Sequence, residues 1–323
     1  MNAMTEPIYT VVARPAVTRR ATWADVGCSR FALLLLAVNA GTFALAVALF
    51  QISGLSVGLT AKDLWDKIVI LAFPLAMWGY YAWIPGRPRE WIFPQAAVVF
   101  MLVLIAAMIG APTQYAAAAL NRPTIDPMLA QADAWLGISV PALVAWTATH
   151  PWLVALLHWS YFTLIFQLAL PVFALPWWND SERLWEFAFH VLVCNLVTIA
   201  AFSLWPAACV FQELGFESLI DQTRFIAHFT AARDGSMTTV PWGQLEGLVS
   251  VPSFHMAGGV IVTWACRRTW LVWLLLPINV LLIASTVMLG AHYAVDLLAS
   301  GLMLASSLAL YRWTRGLRER DAR

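Results

Sequence analysis

Long apolar runs separated by short polar stretches dominate the pattern of this chain. Runs of roughly twenty apolar residues recur at 31–50, 66–84, 95–119, 152–175, 184–206, 253–267, 269–289 and 291–311. About twenty such residues carry an α-helix across the hydrocarbon core of a bilayer, so the pattern predicts eight spans. By position the first run could be a signal peptide, yet its length suits a spanning helix better than an h-region of about 7–15 residues. Two loops keep patterns of their own, near 112–151 and 207–252. Leu136 to Ala148 is apolar but short and contains Pro141, while 216–232 mixes Phe216, Leu219, Ile220, Phe225, Ile226 and Phe229 with polar residues. Both read as helices lying in the membrane interface. No internal repeat is present, and no soluble domain of any size. The expected fold class is therefore all-α: a polytopic membrane bundle of about eight helices, with interfacial helices in the outer loops.

Composition agrees with that class. The 323 residues are 61% hydrophobic and 11% charged, with a mean hydropathy of +0.73, whereas soluble domains are about 25% charged. Eighteen tryptophans suit the two interfacial belts, where an indole keeps its ring apolar and its N–H wet. The net charge of +1 is uninformative in total, but its distribution is not. With a cytoplasmic N-terminus, fourteen basic residues fall on the inner side: Arg14, Arg19, Arg20, Arg30, Arg87, Arg89, Arg183, Arg267, Arg268, Arg312, Arg315, Arg318, Arg320 and Arg323. Five fall outside: Lys62, Lys67, Arg122, Arg224 and Arg233. That asymmetry follows the positive-inside rule and puts both termini in the cytoplasm. There is no basic patch with interleaved aromatics, so nucleic acid is not an expected partner. The four cysteines, Cys28, Cys194, Cys209 and Cys266, lack metal-ligand spacing, and those in apolar runs read as small hydrophobes.

Titratable groups at membrane depth are costly and usually functional. Two stretches concentrate them: Pro252-Ser253-Phe254-His255, and Ser285 to Asp296 with His292 and Asp296 at its end. Ser253 is a good N-cap for a helix beginning near His255, and a helix N-terminus binds phosphate through free N–H groups and its dipole. The 37 positions from His255 to His292 amount to two short crossings, which return both imidazoles to one membrane face. His292 and Asp296 are i and i+4, on one helical face. A carboxylate there can accept the Nδ1 proton and fix the tautomer. One histidine can then attack phosphorus while the other protonates the departing oxygen, which is phosphoryl transfer through a phosphohistidine. Zinc could in principle use the same three groups, but orientation explains the spacing better and no further ligand is evident, so neither metal nor cofactor is expected. His158 and His190, inside spans, read as packed interhelical residues, and His150 and His228 as loop residues.

The stretches "PSFH" and "STVMLGAHYAVDLLASG" resemble the second and third motifs of the type-2 phosphatidic acid phosphatase superfamily, PSGH and SRxxxxxHxxxD. The resemblance covers about residues 110–311 and implies a catalytic membrane domain there, after a cytoplasmic tail at 1–30 and N-terminal spans at 31–109 and before a basic cytoplasmic tail at 312–323. It implies His292 as nucleophile, Asp296 as its orienting partner and His255 as general acid. Two departures stand out. Thr286 occupies the third motif's arginine position, and of the first motif, KxxxxxxRP, only Arg122-Pro123 survives, with Tyr115 in place of the lysine. These departures, with Arg122 to Asp126 and Asp133 to Gly137, resemble the aureobasidin-resistance branch of inositol phosphorylceramide synthases and their bacterial relatives.

A phosphoryl transition state needs positive charge. The orientation leaves Arg122, Arg224, Arg233, Lys62 and Lys67 on the outer side; Arg122, in the remnant first motif, and Arg233, in the loop leading to His255, are the expected phosphate-binding residues, with Arg224 after them and Ser253 at the helix start. Asp126 and Asp133 are candidates for orienting Arg122, for binding an acceptor hydroxyl, or for capping the interfacial helix. The Gly258-Gly259 pair reads as a site of close helix approach. The expected function is transfer of a phosphorylated headgroup, inositol phosphate-like, from a phospholipid donor to a lipid alcohol acceptor such as ceramide or diacylglycerol, on the outer membrane face. The alternatives are a lipid phosphatase sharing the first half-reaction, and a transporter or structural protein without chemistry. The oligomeric state is not legible in the sequence.

Overall fold

The computed structural model describes residues 30–83, 92–208 and 210–321. The expected N-terminal tail up to residue 29, Arg87, Arg89 and Cys209 lie outside these residues. The elements run in order α1 (Arg30–Ser53), β1 (Ser56–Gly58), α2 (Ala61–Trp83), α3 (Ile92–Ala118), α4 (Asp126–Trp135), α5 (Val140–Ala148), α6 (Pro151–Phe162), α7 (Leu164–Gln167) and α8 (Leu170–Ala174). After a 3₁₀ turn at Leu175–Trp178 come α9 (Ser181–Leu204), α10 (Val210–Leu214), α11 (Thr223–Arg233), β2 (Thr239–Pro241), α12 (Phe254–Ala265), α13 (Leu271–Met288) and α14 (Val295–Asp321). The protein is an all-α bundle, its two short strands forming one parallel bridge with Val57 opposite Val240.

Five of these helices, α1, α3, α9, α13 and α14, are long and apolar enough to span a membrane. The number rises to seven if two bent pairs each count as one span: α4 with α5, bent by 80°, and Pro151–Gln167 with Leu170–Trp178, bent by 52°. The difference from the eight apolar runs has local causes. Proline stands in the first turn of α4, α5, α6 and α8, where its fixed φ starts a helix and its missing N–H costs nothing. This region therefore folds as a series of short helices. The run 253–267 gives only twelve helical residues, and α2 falls outside the five, with Lys62, Asp63, Asp66 and Lys67 in its first turns. The expected helix over 216–232 is confined to α11. Residues before it are pinned to the end of α13 instead, where Leu289 O accepts from Leu219 N and from Ser218 Oγ, each at 2.9 Å.

α9 is the central element, with 67% of its apolar window buried against 28–39% for the other four. It packs against α1, α3, α12 and α14 around Phe31, Leu35, Val99, Phe187, Leu192 and Ile261. Polar side chains tie the helices together, as expected where lipid offers no hydrophobic drive for helix association. Asn39 Nδ2 donates to Leu102 O at 3.0 Å and Asn279 Nδ2 to Thr263 Oγ1 at 2.8 Å. Close approach is required at the Gly258-Gly259 pair: a Cβ on Gly258 would lie 2.9 Å from Leu164 Cδ1, and one on Gly259 3.1 Å from Asn279 Oδ1. At the far end of α12, buried Glu186 accepts from Arg267 Nη2 at 2.7 Å and from Trp264 Nε1 at 2.9 Å, while Arg183 Nη1 donates to Ala265 O at 3.3 Å. These bonds anchor the C-terminal end of α12 and fix where its N-terminal end points.

Candidate active site

The turn between α13 and α14 carries His292, and its shape follows from Gly290. This glycine has φ +83°, a left-handed conformation that L side chains rarely adopt. Its N–H bonds to Val287 O at 2.9 Å, and Ala291 N–H to Thr286 O at 3.1 Å. That pair of bonds is a Schellman motif, which ends α13. His292 N–H adds a bond to Thr286 O at 2.9 Å. A Cβ on Gly290 would meet Phe216 Cε2 at 2.9 Å, so the turn is packed as well as capped.

Two buried aspartates hold the other side of the same turn. Asp133 accepts from Ala294 N at 2.9 Å and Val295 N at 2.8 Å, one with each oxygen. It thus caps the N-terminus of α14 from a different helix, where free N–H groups and the dipole favour a carboxylate. Asp126 accepts from Tyr293 Oη at 3.0 Å and from Ala208 N at 2.8 Å. Both carboxylates are committed to ordering the loop. Of the three sequence-level options for them, capping matches Asp133, although the capped helix is α14 rather than the interfacial one.

Within this frame His292 Nδ1 lies 3.3 Å from Asp296 Oδ2. The carboxylate can only accept, so Nδ1 carries the proton and Nε2 presents its lone pair. Asp296 Oδ2 also accepts from Ser250 Oγ and Tyr293 N, both at 3.1 Å, which leaves it little freedom. His292 Nε2 points to Ser253 Oγ at 3.3 Å. Ser253 is the N-cap of α12 and accepts from Met256 N at 3.4 Å. Ser300 Oγ donates to Ser253 O at 3.2 Å and so joins α14 to the cap. The imidazole of His255, in the first turn of α12, stands edge-on to that of His292 with 6.4 Å between ring centroids. The structure therefore brings together His255, His292, Asp296 and Ser253 from α12 and α14.

His255 and His292, with Ser250 and Phe254, line a cavity of about 270 Å³. Small residues on α3, Ala107 and Ala111, make its room, and Asn195 and Thr198 of α9 with Gln114 of α3 give it polar walls. Its volume lies just under the range of small-molecule sites, about 300–1,000 Å³, so it holds a phosphate and a compact polar group but not acyl chains. A larger apolar cavity of about 580 Å³ lies between α1 and α3, beside Phe43, Phe50, Ile109 and Trp242, and none of its lining residues titrates.

A family model described as the PAP2 superfamily matches residues 127–310. The chain belongs to the PAP2 superfamily. Neither a curated protein nor a solved structure matches it. PAP2 superfamily members are phosphatases and phosphotransferases of lipid phosphates, and the chain is an integral membrane enzyme of this kind. The matched span takes in Asp133, Ser253, His255, His292 and Asp296 and begins after Arg122-Pro123.

The PAP2 superfamily's arginine position in the third motif holds Thr286, which is buried and bonds its own helix through Ile283 O at 2.7 Å. The expected phosphate-binding arginines are placed apart from the two histidines. Arg122, Arg224 and Arg233 are not among the residues lining the cavity. Arg224 pairs with Glu246 at 2.9 Å. Arg233 lies over the Phe229 ring at 5.3 Å and donates through Nη2 to Arg122 O at 2.8 Å, while Nη1 is buried without a partner. Burial lowers the Arg233 pKa from its usual value and the Asp126 carboxylate opposes that shift. Tyr115, at the first motif's lysine position, bonds His228 Nδ1 at 2.8 Å and accepts from Glu246 N at 2.8 Å. His158 bonds Leu219 O at 2.6 Å and His190 bonds Ser307 Oγ at 2.8 Å, so both have structural partners. Ser250, Ser300 and Tyr161 were not legible as site residues. Ser250 sits three positions before the cap serine, and that nearness to the motif was the one available signal.

Proposed function

We propose that this enzyme transfers a phosphorylated headgroup from a glycerophospholipid to a lipid alcohol through a phosphohistidine on His292. One observation carries the reading: Asp296 fixes the His292 tautomer so that Nε2 faces the cap of α12 beside His255. In the first half-reaction Nε2 attacks phosphorus, the P–O bond to the glycerolipid breaks, and His255 gives that oxygen its proton. In the second, the acceptor hydroxyl gives its proton to His255, its oxygen bonds to phosphorus, and the P–N bond breaks. Positioning of this kind supplies most of the catalysis in phosphoryl transfer.

The phosphate charge is met by the free N–H groups at the start of α12 and by protonated His255. Among the described residues no lysine or arginine lines the cavity. A phosphodiester monoanion suits such a wall better than a phosphomonoester dianion, because each uncompensated buried charge is costly. This favours a diester donor and hence transfer. The departures at Tyr115 and Thr286 resemble the inositol phosphorylceramide synthase branch and support the same choice. The Lys/Arg asymmetry supports an active site on the periplasmic, extracellular or lumenal face. The second reading is a lipid phosphatase, with water in place of the acceptor. Labelled inositol phospholipid in detergent, with and without ceramide or diacylglycerol, separates the two. Acceptor-dependent labelled lipid is expected; release of free phosphate from a phosphomonoester lipid, with no transfer, would overturn the proposal.

A further inference from the structure

The ring of His255 has an aromatic partner outside both motifs. Tyr161, at the end of α6, stacks on it with 4.1 Å between centroids and 19° between planes. Among the described residues neither nitrogen of His255 has a hydrogen-bond partner, so hydrogen bonding does not orient this imidazole. The contact is built into the packing of the helices. α6 breaks at Thr163, and α7 opens with Leu164, which seats against Gly258. Tyr161 to Leu164 and His255 to Gly258 are both i,i+3 steps, so the same register that admits Leu164 at the glycine sets Tyr161 over the histidine. A Cβ at 258 would lie 2.9 Å from Leu164 Cδ1, so the Leu164 side chain would have to move. Tyr161 itself lines the cavity.

We infer that Tyr161 is the positioning residue for the proton donor: its face sets the plane of the His255 imidazole, aiming the ring edge at the leaving oxygen. An aromatic face also attracts a cation lying over it, which offsets part of the cost of burying the imidazolium that the first half-reaction consumes. The inference rests on the phosphohistidine reading above and adds a residue that no motif contains.

The test uses the full chain in detergent micelles and follows the first half-reaction alone, under single-turnover conditions without acceptor, with two diester probes. One is phosphatidylinositol, whose alkoxide leaving group needs a proton. The other is a long-chain alkyl p-nitrophenyl phosphate, whose phenolate leaves without one. General acid catalysis contributes about 10²–10⁴-fold, and a mis-aimed acid forfeits part of it. Tyr161→Leu is therefore expected to lower the saturating single-turnover rate on phosphatidylinositol about 10- to 100-fold with the half-saturating concentration within about twofold. On the aryl probe the loss should be below about threefold, and this retained turnover also shows that the variant folds. His255→Ala should give the same pattern more strongly, and Tyr161→Phe, which keeps the stacking face, should recover most of the phosphatidylinositol rate. Equal losses on both probes, or a Phe variant as impaired as Leu, would overturn the assignment of Tyr161. Turnover of either probe by His292→Ala would overturn the phosphohistidine reading itself, so the two failures are distinguishable.

Discussion

Replacing Asp133 by alanine tests how the reactive turn is held. The carboxylate is 2% exposed and accepts from Ala294 N at 2.9 Å and Val295 N at 2.8 Å, yet it reaches α14 from another helix. Hydrogen bonds to a charged group are worth about 1.5–3 kcal/mol each, and an orphaned buried donor costs about 1–3 kcal/mol. Water reaching the vacated space would offset part of that. The two bonds and the interaction with the helix dipole together place the loss at about 2–4 kcal/mol. Asp133→Asn keeps one acceptor and no charge, and should lose about half as much. Reversible unfolding in mixed micelles would measure the stability change, and single-turnover rates on a labelled phospholipid would follow the site. Because His292 and Asp296 flank the capped residues, kcat should fall with stability while KM changes little. If Asp133→Ala were within about 0.5 kcal/mol of the parent and equally fast, the cap would not be what orders this turn.

Gly290→Ala adds a Cβ that would lie 2.9 Å from Phe216 Cε2 at a residue with φ +83°, so a loss of at least about 1–2 kcal/mol is expected; an unchanged thermal midpoint would refute this. Asp296→Asn leaves the ring in place but removes the charge that stabilises an imidazolium and can turn an N–H towards Nδ1, so the tautomer is no longer fixed, and kcat should drop roughly 10²–10⁴-fold, by analogy with the aspartate of serine-protease triads. Comparable rates would show that tautomer control is unimportant. Arg224 pairs with Glu246 and its side chain is 64% exposed, so Arg224→Gln should change kcat/KM less than about threefold, as surface pairs contribute little; a large fall would return this arginine to the phosphate.

The parts of this fold that the sequence announced are those governed by periodicity and motif. The apolar runs specified a helical membrane bundle, and the spacing of His292 and Asp296 announced their contact, although His292 stands in the turn before α14 rather than on a face of that helix. The Gly258-Gly259 pair announced close packing. What the sequence could not show depends on contacts between distant segments. Proline in the first turn of α4, α5, α6 and α8 signalled a helix start, but not that the apolar run 152–175 would bend between its pieces. Asp133 looked like a residue for its own helix and instead caps one that begins 162 positions later. Arg224 and Arg233, expected at the phosphate, have partners in Glu246 and in Phe229 with the Arg122 carbonyl, contacts that neither sidedness nor nearness to a motif announces. Tyr161 carried no signal at all, since aromatics are abundant throughout the chain.

The central claim is that His292 becomes covalently bound to phosphorus, and trapping the adduct tests it most directly. Enzyme mixed with phospholipid carrying a labelled phosphate, without acceptor, would be quenched in alkali, where a phosphoramidate survives, and digested for mass spectrometry. The account predicts label on the peptide containing His292, acid-labile, absent from His292→Ala and discharged by a lipid alcohol. Label on another residue, or acceptor-dependent turnover by His292→Ala, would contradict it.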